Sequence, residues 1–277
     1  MIIESETKTE AEENLKYIFT AIEDPLHYAN ILKKENFRLL EKWGLIQNME
    51  LIKFRFNINF DIKDVDKFLR DLMNDKTIRK NFEPLNHVVS NDEERMLIDN
   101  IKYIKVGTKS TSTDLFNPMY ENGICTRDGY IKKDYEDYYE EILIPDKLKQ
   151  ALLLEDSENY STFNEETRNE FLFHIFKRLV IGGSLCQYED YISEYLQLTK
   201  LFYKGKYILI NFTDLVTAIK DSNSGEISIR SIVLEILNVE NSNIYKIKNH
   251  PQNFFYIIIE PIHRHVHIWY HKWIPYW

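Results

Sequence analysis

The sequence has 277 residues, of which 44% are hydrophobic and 29% are charged, and it carries a net charge of -9 with a pI near 5.5. This composition is typical of a soluble globular protein, and the acidic balance argues against nucleic-acid binding, which normally requires a basic patch. The chain has neither the roughly 18 consecutive apolar residues of a membrane span nor enough cysteines for a disulfide framework or a four-cysteine zinc site, so we expect a reduced, cytosolic-type protein without nucleic-acid or membrane partners.

The start of the chain, residues 1–14, is acidic and polar (MIIESETKTEAEEN). It matches neither a secretory signal nor an arginine-rich transit peptide. We expect a disordered lead-in here, followed by a single α+β domain over residues 15–277. A soft boundary near residue 205 is the alternative, because the chain becomes rich in β-branched residues beyond that point.

The front half mixes short helices and strands. Leu26–Trp43 predicts one helix or two short ones, ended by Gly44. Leu51–Phe60 (LIKFRFNINF) alternates apolar and polar residues strictly, which predicts a half-buried strand with one polar face. The patterns that follow predict a helix over Asp64–Asn74, a strand over Ile98–Val106 and a helix from Pro145 to Leu154.

An acidic, tyrosine-rich run occupies Lys132–Glu141 (KKDYEDYYEE). Runs of like charge are usually solvated, and we interpret this one as an exposed face or loop.

The central stretch, Glu170–Lys200, carries a wide apolar stripe at helical spacing. The stripe consists of Phe171, Leu172, Ile175, Phe176, Leu179 and Val180. Thr162 with Glu165 fits a capping box before this helix, and Asn164 is the competing N-cap. Gly182-Gly183 ends the helix, and a second amphipathic segment follows from Tyr188. This pattern predicts a helical hairpin with a tight turn, buried against a larger body.

Strand patterns dominate the C-terminal part. The candidates are Tyr207–Leu215, Ile227–Val239, Ile244–Lys248, Phe254–Glu260 and His263–His271, with a turn at Asp221–Gly225. The fold class is therefore predicted as α+β, with mixed helices, a mainly antiparallel sheet, a central helical hairpin and a β-rich C-terminal part.

Histidines recur in IHRHVHIWYH near the end of the chain. On a strand, His265, His267 and His271 project to one face, where neutral imidazoles bind zinc. A polar outer face of the strand is the alternative, and no further ligand can be identified. We therefore assign no metal site and no cofactor, and we keep a metal-binding module or metal-dependent enzyme as the second hypothesis.

Other residues give no catalytic site. Cys186 with His174 is a conceivable nucleophile and base, but a buried, inert cysteine fits the pattern better. The paired carboxylates are adjacent in sequence and diverge on a helix, so we expect no enzyme. The tryptophans Trp269, Trp273 and Trp277 predict either a docking surface or a tail folded onto the body.

Several motifs resemble one known family. They are LLLEDSENY (Leu152–Tyr160), EFLF (Glu170–Phe173), GG followed by LCQYED (Gly182–Asp190), and EPIHRHVHIWYH (Glu260–His271). These motifs resemble the family of cilia- and flagella-associated protein 300. The spelling LCQYED is specific, because a turn requires only glycine and a polar residue.

The resemblance implies a non-enzymatic protein of the cytoplasm and the motile cilium or flagellum. It implies a factor for the assembly and transport of outer and inner axonemal dynein arms, without cofactor or catalytic residues. The expected partners are dynein subunits, cytoplasmic assembly factors and co-chaperones, and the intraflagellar transport machinery. We take the residues after the two glycines as the protein-binding candidates: Gln187, Tyr188, Glu189, Asp190 and Tyr191.

Overall fold

The computed structural model describes residues 15–22, 28, 31, 33–86, 97–203, 215–220, 227–240, 242, 244–245 and 249–275. The acidic lead-in, most of the predicted strand over residues 207–215, the predicted turn over 221–225, the end of the predicted strand over 244–248, and Trp277 lie outside these residues.

Helices and strands alternate along the described chain. The helices are α1 (Lys34–Lys42), α2 (Val65–Asn74), α3 (Lys76–Asn81), α4 (Glu83–Asn86), α5 (Pro118–Glu121), α6 (Lys147–Leu153), α7 (Glu165–Arg168), α8 (Phe171–Ile181) and α9 (Ile192–Tyr203). The strands are β1 (Phe19–Ala21), β2 (Met49–Phe56), β3 (Ile101–Val106), β4 (Lys133–Tyr139), β5 (Ile142–Asp146), β6 (Ala218–Lys220), β7 (Ile227–Ile229), β8 (Ile232–Val239), β9 (Phe254–Glu260) and β10 (His265–His271).

A six-stranded sheet with the order β1-β2-β10-β9-β8-β3 organises these elements. Each neighbouring pair is antiparallel. The N-terminal strand β2 lies beside the C-terminal strand β10, with Met49 opposite His271. Strands β4–β5 and β6–β7 form separate two-stranded sheets. The predicted α+β class with a mainly antiparallel sheet is confirmed.

Apolar clusters cover both faces of the large sheet. Along β9, Phe254, Tyr256 and Ile258 point into the cluster that contains α8 and α9, while Phe255 and Ile257 point into the cluster that contains α2 and α3. Because both faces are buried, the strand is apolar throughout instead of alternating. Both clusters combine residues from before and after position 205, and the single-domain assignment stays a prediction.

The two-sided burial corrects the expected polar face of β2. Phe54 and Phe56 are buried against α2, as the alternation predicted. Lys53, on the opposite face, is only 7% exposed, although the alternation predicted that it faces solvent. The prediction was wrong at this position because the face is covered here: Lys53 lies opposite His267, on which Tyr28 packs.

Several element boundaries also differ from prediction; the predicted strand Ile227–Val239, for example, is divided into β7 and β8. Helix α1 begins at Lys34 rather than at Leu26. Pro145 lies in β5, and α6 begins after it with Asp146 accepting a hydrogen bond from the Lys149 amide at 2.8 Å. Asn164 caps α7, which is separate from the central helix α8.

The central helix α8 has the predicted buried stripe, and Phe173 and Ile181 are buried as well. It ends at Gly182, whose φ of 67° is the left-handed conformation that glycine favours. Helix α9 begins only at Ile192. The predicted tight turn was therefore wrong, because residues 182–191 form a longer loop that contacts another part of the chain.

A buried polar network joins α8 to the sheet. Arg178 donates to Glu235 Oε1 at 2.7 Å, to the Tyr256 hydroxyl at 3.1 Å and to the Pro251 carbonyl at 2.9 Å. The Tyr256 hydroxyl donates to Glu235 at 3.2 Å. Its single hydrogen is then used, so His174 Nδ1, at 2.9 Å, donates to the same oxygen. These hydrogen bonds stabilise the fold, because a buried polar group without a partner is energetically unfavourable.

Two buried histidines are held in the neutral form. Burial, together with a smaller effect of the positive charge of Arg178, lowers the pKa of His174 and of His271 from 6.5 to about 4. The charge of Glu235 raises the pKa of His174, and the hydrogen bond to the Gln252 carbonyl raises the pKa of His271, but both effects are smaller than that of burial. At a pH between the ordinary pKa of 6.5, which applies to the unfolded chain, and the folded-state pKa of about 4, the unfolded chain binds protons at these histidines that the folded chain does not.

The free energy of unfolding should therefore fall with the pH below about 6.5, until the folded-state pKa near 4 is reached. Each histidine should cost roughly 2 kcal/mol at about pH 5. A chain with His174→Gln and His271→Gln should lose stability less steeply with falling pH, as measured by urea unfolding over this range.

The comparison between variants is needed because Glu50 acts in the opposite direction. Burial raises the pKa of Glu50 to about 7, so its protonation stabilises the folded chain as the pH falls. His263 bonds to the buried Glu260 at 2.9 Å and is no neutral control, so the single variants His174→Gln and His271→Gln serve instead, and each should account for about half of the change in slope. Equal pH slopes for the native chain and the double variant would contradict the assignment.

Candidate protein-binding surface

The residues between α8 and α9, 182–191, are called the Gly-Gly loop. Their backbone contacts the end of α1: the Gly183 amide donates to the Trp43 carbonyl at 2.8 Å, and the Gln187 amide donates to the Lys42 carbonyl at 2.9 Å. A Cβ atom on Gly183 would lie 2.1 Å from the Gly44 carbonyl oxygen. Glycine is therefore needed at Gly183 because two backbone segments touch.

Glu189 lies on the inner side of this loop. Its carboxylate accepts hydrogen bonds from Lys42 Nζ at 2.7 Å and from Trp43 Nε1 at 2.9 Å. Its backbone amide donates to the Tyr195 hydroxyl at 3.0 Å, and the rings of Tyr195 and Trp43 lie 4.7 Å apart. Glu189 therefore joins α1, the loop and α9.

Four side chains of the loop face outward. Leu185 is 65% exposed and Tyr191 is 45% exposed, and Gln187 and Asp190 are also exposed. Asp190 pairs with Lys133 Nζ at 2.8 Å, and this lysine holds the pKa of the Asp190 carboxyl below its usual range. An exposed pair of this kind contributes little to stability.

The same loop is tied to the segment that precedes β4. Lys133 Nζ lies 4.6 Å from the ring centroid of the half-buried Tyr188, and Lys149 Nζ lies 5.6 Å from it. Tyr191 forms an antiparallel bridge with Tyr130, and their rings are 5.7 Å apart. The loop and the β4–β5 hairpin consequently form one continuous surface.

The structure divides the five predicted binding residues. Gln187, Asp190 and Tyr191 present their side chains to solvent, Tyr188 is half-buried, and Glu189 is bonded inside. Sequence reasoning missed the residues that hold the loop: Lys42, Trp43, Tyr130 and Lys133. Lys42 and Glu189 are 147 positions apart, and no local pattern connects them.

The histidines of β10 do not converge. His267 Nδ1 lies 2.6 Å from the Tyr28 hydroxyl, and His271 Nδ1 donates to the Gln252 carbonyl at 2.8 Å. The expected polar outer face was wrong, since His267 and His271 are buried and only His265 is partly exposed. Within the described residues, no group of three or more histidine, cysteine, aspartate or glutamate side chains could hold a metal ion.

Cys186 and His174 belong to different surroundings. Burial raises the pKa of the Cys186 thiol, which disfavours the reactive thiolate. His174 is bonded to Tyr256 on the sheet instead.

The tryptophan-rich tail folds onto the body as far as it is described. Trp269 and Trp273 are buried, and Trp273 stacks on His250 with ring centroids 4.0 Å apart. Ser184 Oγ donates to the Ile274 carbonyl at 2.6 Å, so the tail also braces the Gly-Gly loop. None of the helices in the described ranges is long and apolar enough to cross a membrane.

Comparisons with known proteins identify one family. Residues 16–271 match the model of the family Cilia- and flagella-associated protein 300. The protein of that name from Paramecium tetraurelia is 39% identical over 244 residues, which cover 88% of this chain and 90% of the relative. The one from Chlamydomonas reinhardtii is 29% identical over 244 residues, which cover 86% and 91%. No solved structure matches the chain.

Two adjacent substitutions should separate the inner and outer sides of the loop. Glu189→Ala leaves Lys42 and the Trp43 indole without their acceptor, so unfolding should become easier by about 1–3 kcal/mol. Asp190→Ala removes an exposed ion pair and should leave the melting temperature nearly unchanged. Thermal unfolding followed by circular dichroism measures both, and equal losses would contradict the division.

Proposed function

The chain belongs to the family of cilia- and flagella-associated protein 300, and we propose that it is a non-enzymatic adaptor for the assembly and transport of outer and inner axonemal dynein arms. Family membership itself makes it a protein associated with cilia and flagella. The proposal adds the role in dynein-arm assembly, and it also adds a pool in the cytoplasm, where arms are assembled before delivery.

Its direct partners under this proposal are dynein subunits and the cytoplasmic assembly factors and co-chaperones that act on them. Delivery into the cilium would bring it into contact with the intraflagellar transport machinery. All of these contacts are between proteins, so the function depends on a surface rather than on a pocket for a substrate.

The outward side of the Gly-Gly loop is the observation that carries the proposal. The backbone of Gly183 and Gln187 and the side chain of Glu189 serve the fold. The exposed side chains of Gln187, Asp190 and Tyr191 do not fill a core or cap a helix. Exposed aromatic and polar side chains on a well-anchored loop are suited to recognition.

The non-enzymatic part of the proposal has separate support. The buried His174 is neutral and bonded to Tyr256, and burial raises the pKa of Cys186. Neither group is therefore arranged as a nucleophile with its base.

Loss of the gene in a ciliated cell should remove outer and inner dynein arms from the axoneme. The native chain should restore them, whereas a chain with Gln187→Ala, Asp190→Lys and Tyr191→Ser should not. The triple variant should also bind purified assembly factors at least about tenfold more weakly, because central exposed contacts dominate interface energies. Electron microscopy of axoneme cross-sections and affinity measurements provide the two readouts.

A matched control changes exposed residues of the neighbouring helix. Gln197→Ala with Lys200→Ala lies on the solvent side of α9 and should restore the arms fully. Normal arms in cells without the gene would refute the proposed function. Full rescue by the triple variant would instead move the binding surface away from the loop.

A further inference from the structure

A groove of about 540 Å³ lies between the Gly-Gly loop and the hairpin of β4 and β5. Tyr138 and the turn residues Glu140 and Glu141 line one side, and Leu185 and Tyr188 line the other. A volume of this size accommodates several side chains of a bound segment. The groove shares the outward-facing Leu185 with the loop, whereas Gln187, Asp190 and Tyr191 do not line it.

Strand β4 exposes three tyrosines, of which Tyr138 lines the groove. Tyr135 is 90% exposed, Tyr138 is 65% exposed and Tyr139 is 38% exposed. Within the described residues, β4 pairs only with β5, so its outer edge has no strand beside it. Exposed tyrosines at an unpaired strand edge are typical of a surface that receives another segment.

The hairpin turn is not explained by turn formation. A hairpin turn of two residues with a positive φ only at its first central position favours glycine at that position. Here Glu140 has a φ of 53° and is followed by Glu141. Two adjacent carboxylates also repel each other. The chain thus places two negative charges at the mouth of the groove at a conformational cost.

The charges around the groove indicate which kind of segment it can bind. Glu136, Asp137, Glu140 and Glu141 are exposed on the hairpin, and Lys133 is neutralised by Asp190. Lys149 lines the groove but is buried, and its Nζ donates to the Leu143 carbonyl at 3.4 Å. A segment in this groove therefore meets negative charge at the hairpin turn and apolar surface deeper inside.

We propose that the groove binds an extended segment of a partner protein in which arginine or lysine alternates with bulky apolar residues. The cationic groups pair with Glu140 and Glu141 and stack on Tyr138, and an apolar side chain packs against Leu185. Arginine suits this role because its planar guanidinium both stacks on aromatic rings and pairs with carboxylates. The inference rests on the proposed adaptor function and names the chemistry of the segment it recognises.

Labelled peptides test the groove with the full chain. The probe GSRLRFRSG should bind measurably by fluorescence polarisation. The peptide GSRSRSRSG, which keeps the charges and lacks the apolar residues, should bind about tenfold more weakly, and GSELEFESG should not bind. Added salt should weaken the first complex. Absence of binding by GSRLRFRSG, or equal binding by the first two peptides, would overturn the proposal.

A variant with a better turn separates binding from folding. Glu140→Gly with Glu141→Asn removes both charges and places glycine at the position with the positive φ, so the melting temperature should stay equal or rise. Binding of GSRLRFRSG should weaken about tenfold. Glu155→Gln with Asp156→Asn removes two charges from an exposed site elsewhere and should leave the affinity unchanged.

The remaining outcomes distinguish this inference from the adaptor role. If the turn variant binds the peptide as tightly as the native chain does, the groove assignment is wrong. If analytical ultracentrifugation shows self-association that the turn variant abolishes, the occupant is a second copy of this chain, and the partner assignment is wrong. Dynein-arm loss in cells without the gene tests the adaptor role independently of the peptides.

Discussion

Burial of both faces of the central sheet is the constraint on which the rest of the structure depends. Strands β9 and β10 lie between two layers of helices, so every polar group on them requires a partner inside the protein. Tyr256 of β9 finds it in Arg178 and in Glu235 of the neighbouring β8, and His267 of β10 finds it in Tyr28. The buried histidines of β10 are thus bonded through Nδ1 to different neighbours, which explains why their imidazoles do not gather around one point, although Nε2 of His271 is buried without a hydrogen-bond partner among the described residues.

The same constraint shapes the Gly-Gly loop. Helix α8 is fixed on the sheet by Arg178, and α1 packs into the same cluster through Trp43. The loop that leaves α8 must therefore pass across the end of α1, where Gly44 and Gly183 approach closely. Glu189 completes this crossing by binding Lys42 and Trp43. Part of the LCQYED motif is therefore required by the fold and not by a partner.

The periodic features of the sequence were sufficient to predict several elements. The stripe from Phe171 to Val180, the alternation around Phe54 and the glycine stop at Gly182 are local signals, and the structure contains each of them. The exposure of Lys53 and the tight turn were predicted wrongly, because contacts with distant parts of the chain decide them. Periodicity does not encode such contacts, as the pair of Lys42 and Glu189 illustrates.

The candidate surface was predictable only in part, for the same physical reason. Gln187, Asp190 and Tyr191 belong to or follow the specific motif LCQYED, whereas the run around Tyr135 and Tyr138 has the pattern of an ordinary solvated face. Its position became informative only once Asp190 was seen to pair with Lys133 and the hairpin to share a groove with Leu185. Direct contacts within the fold account for Gly183 and Glu189, whereas several side chains of the loop and the hairpin are exposed. Recognition is the role that fits residues which the fold exposes, holds in place and does not use.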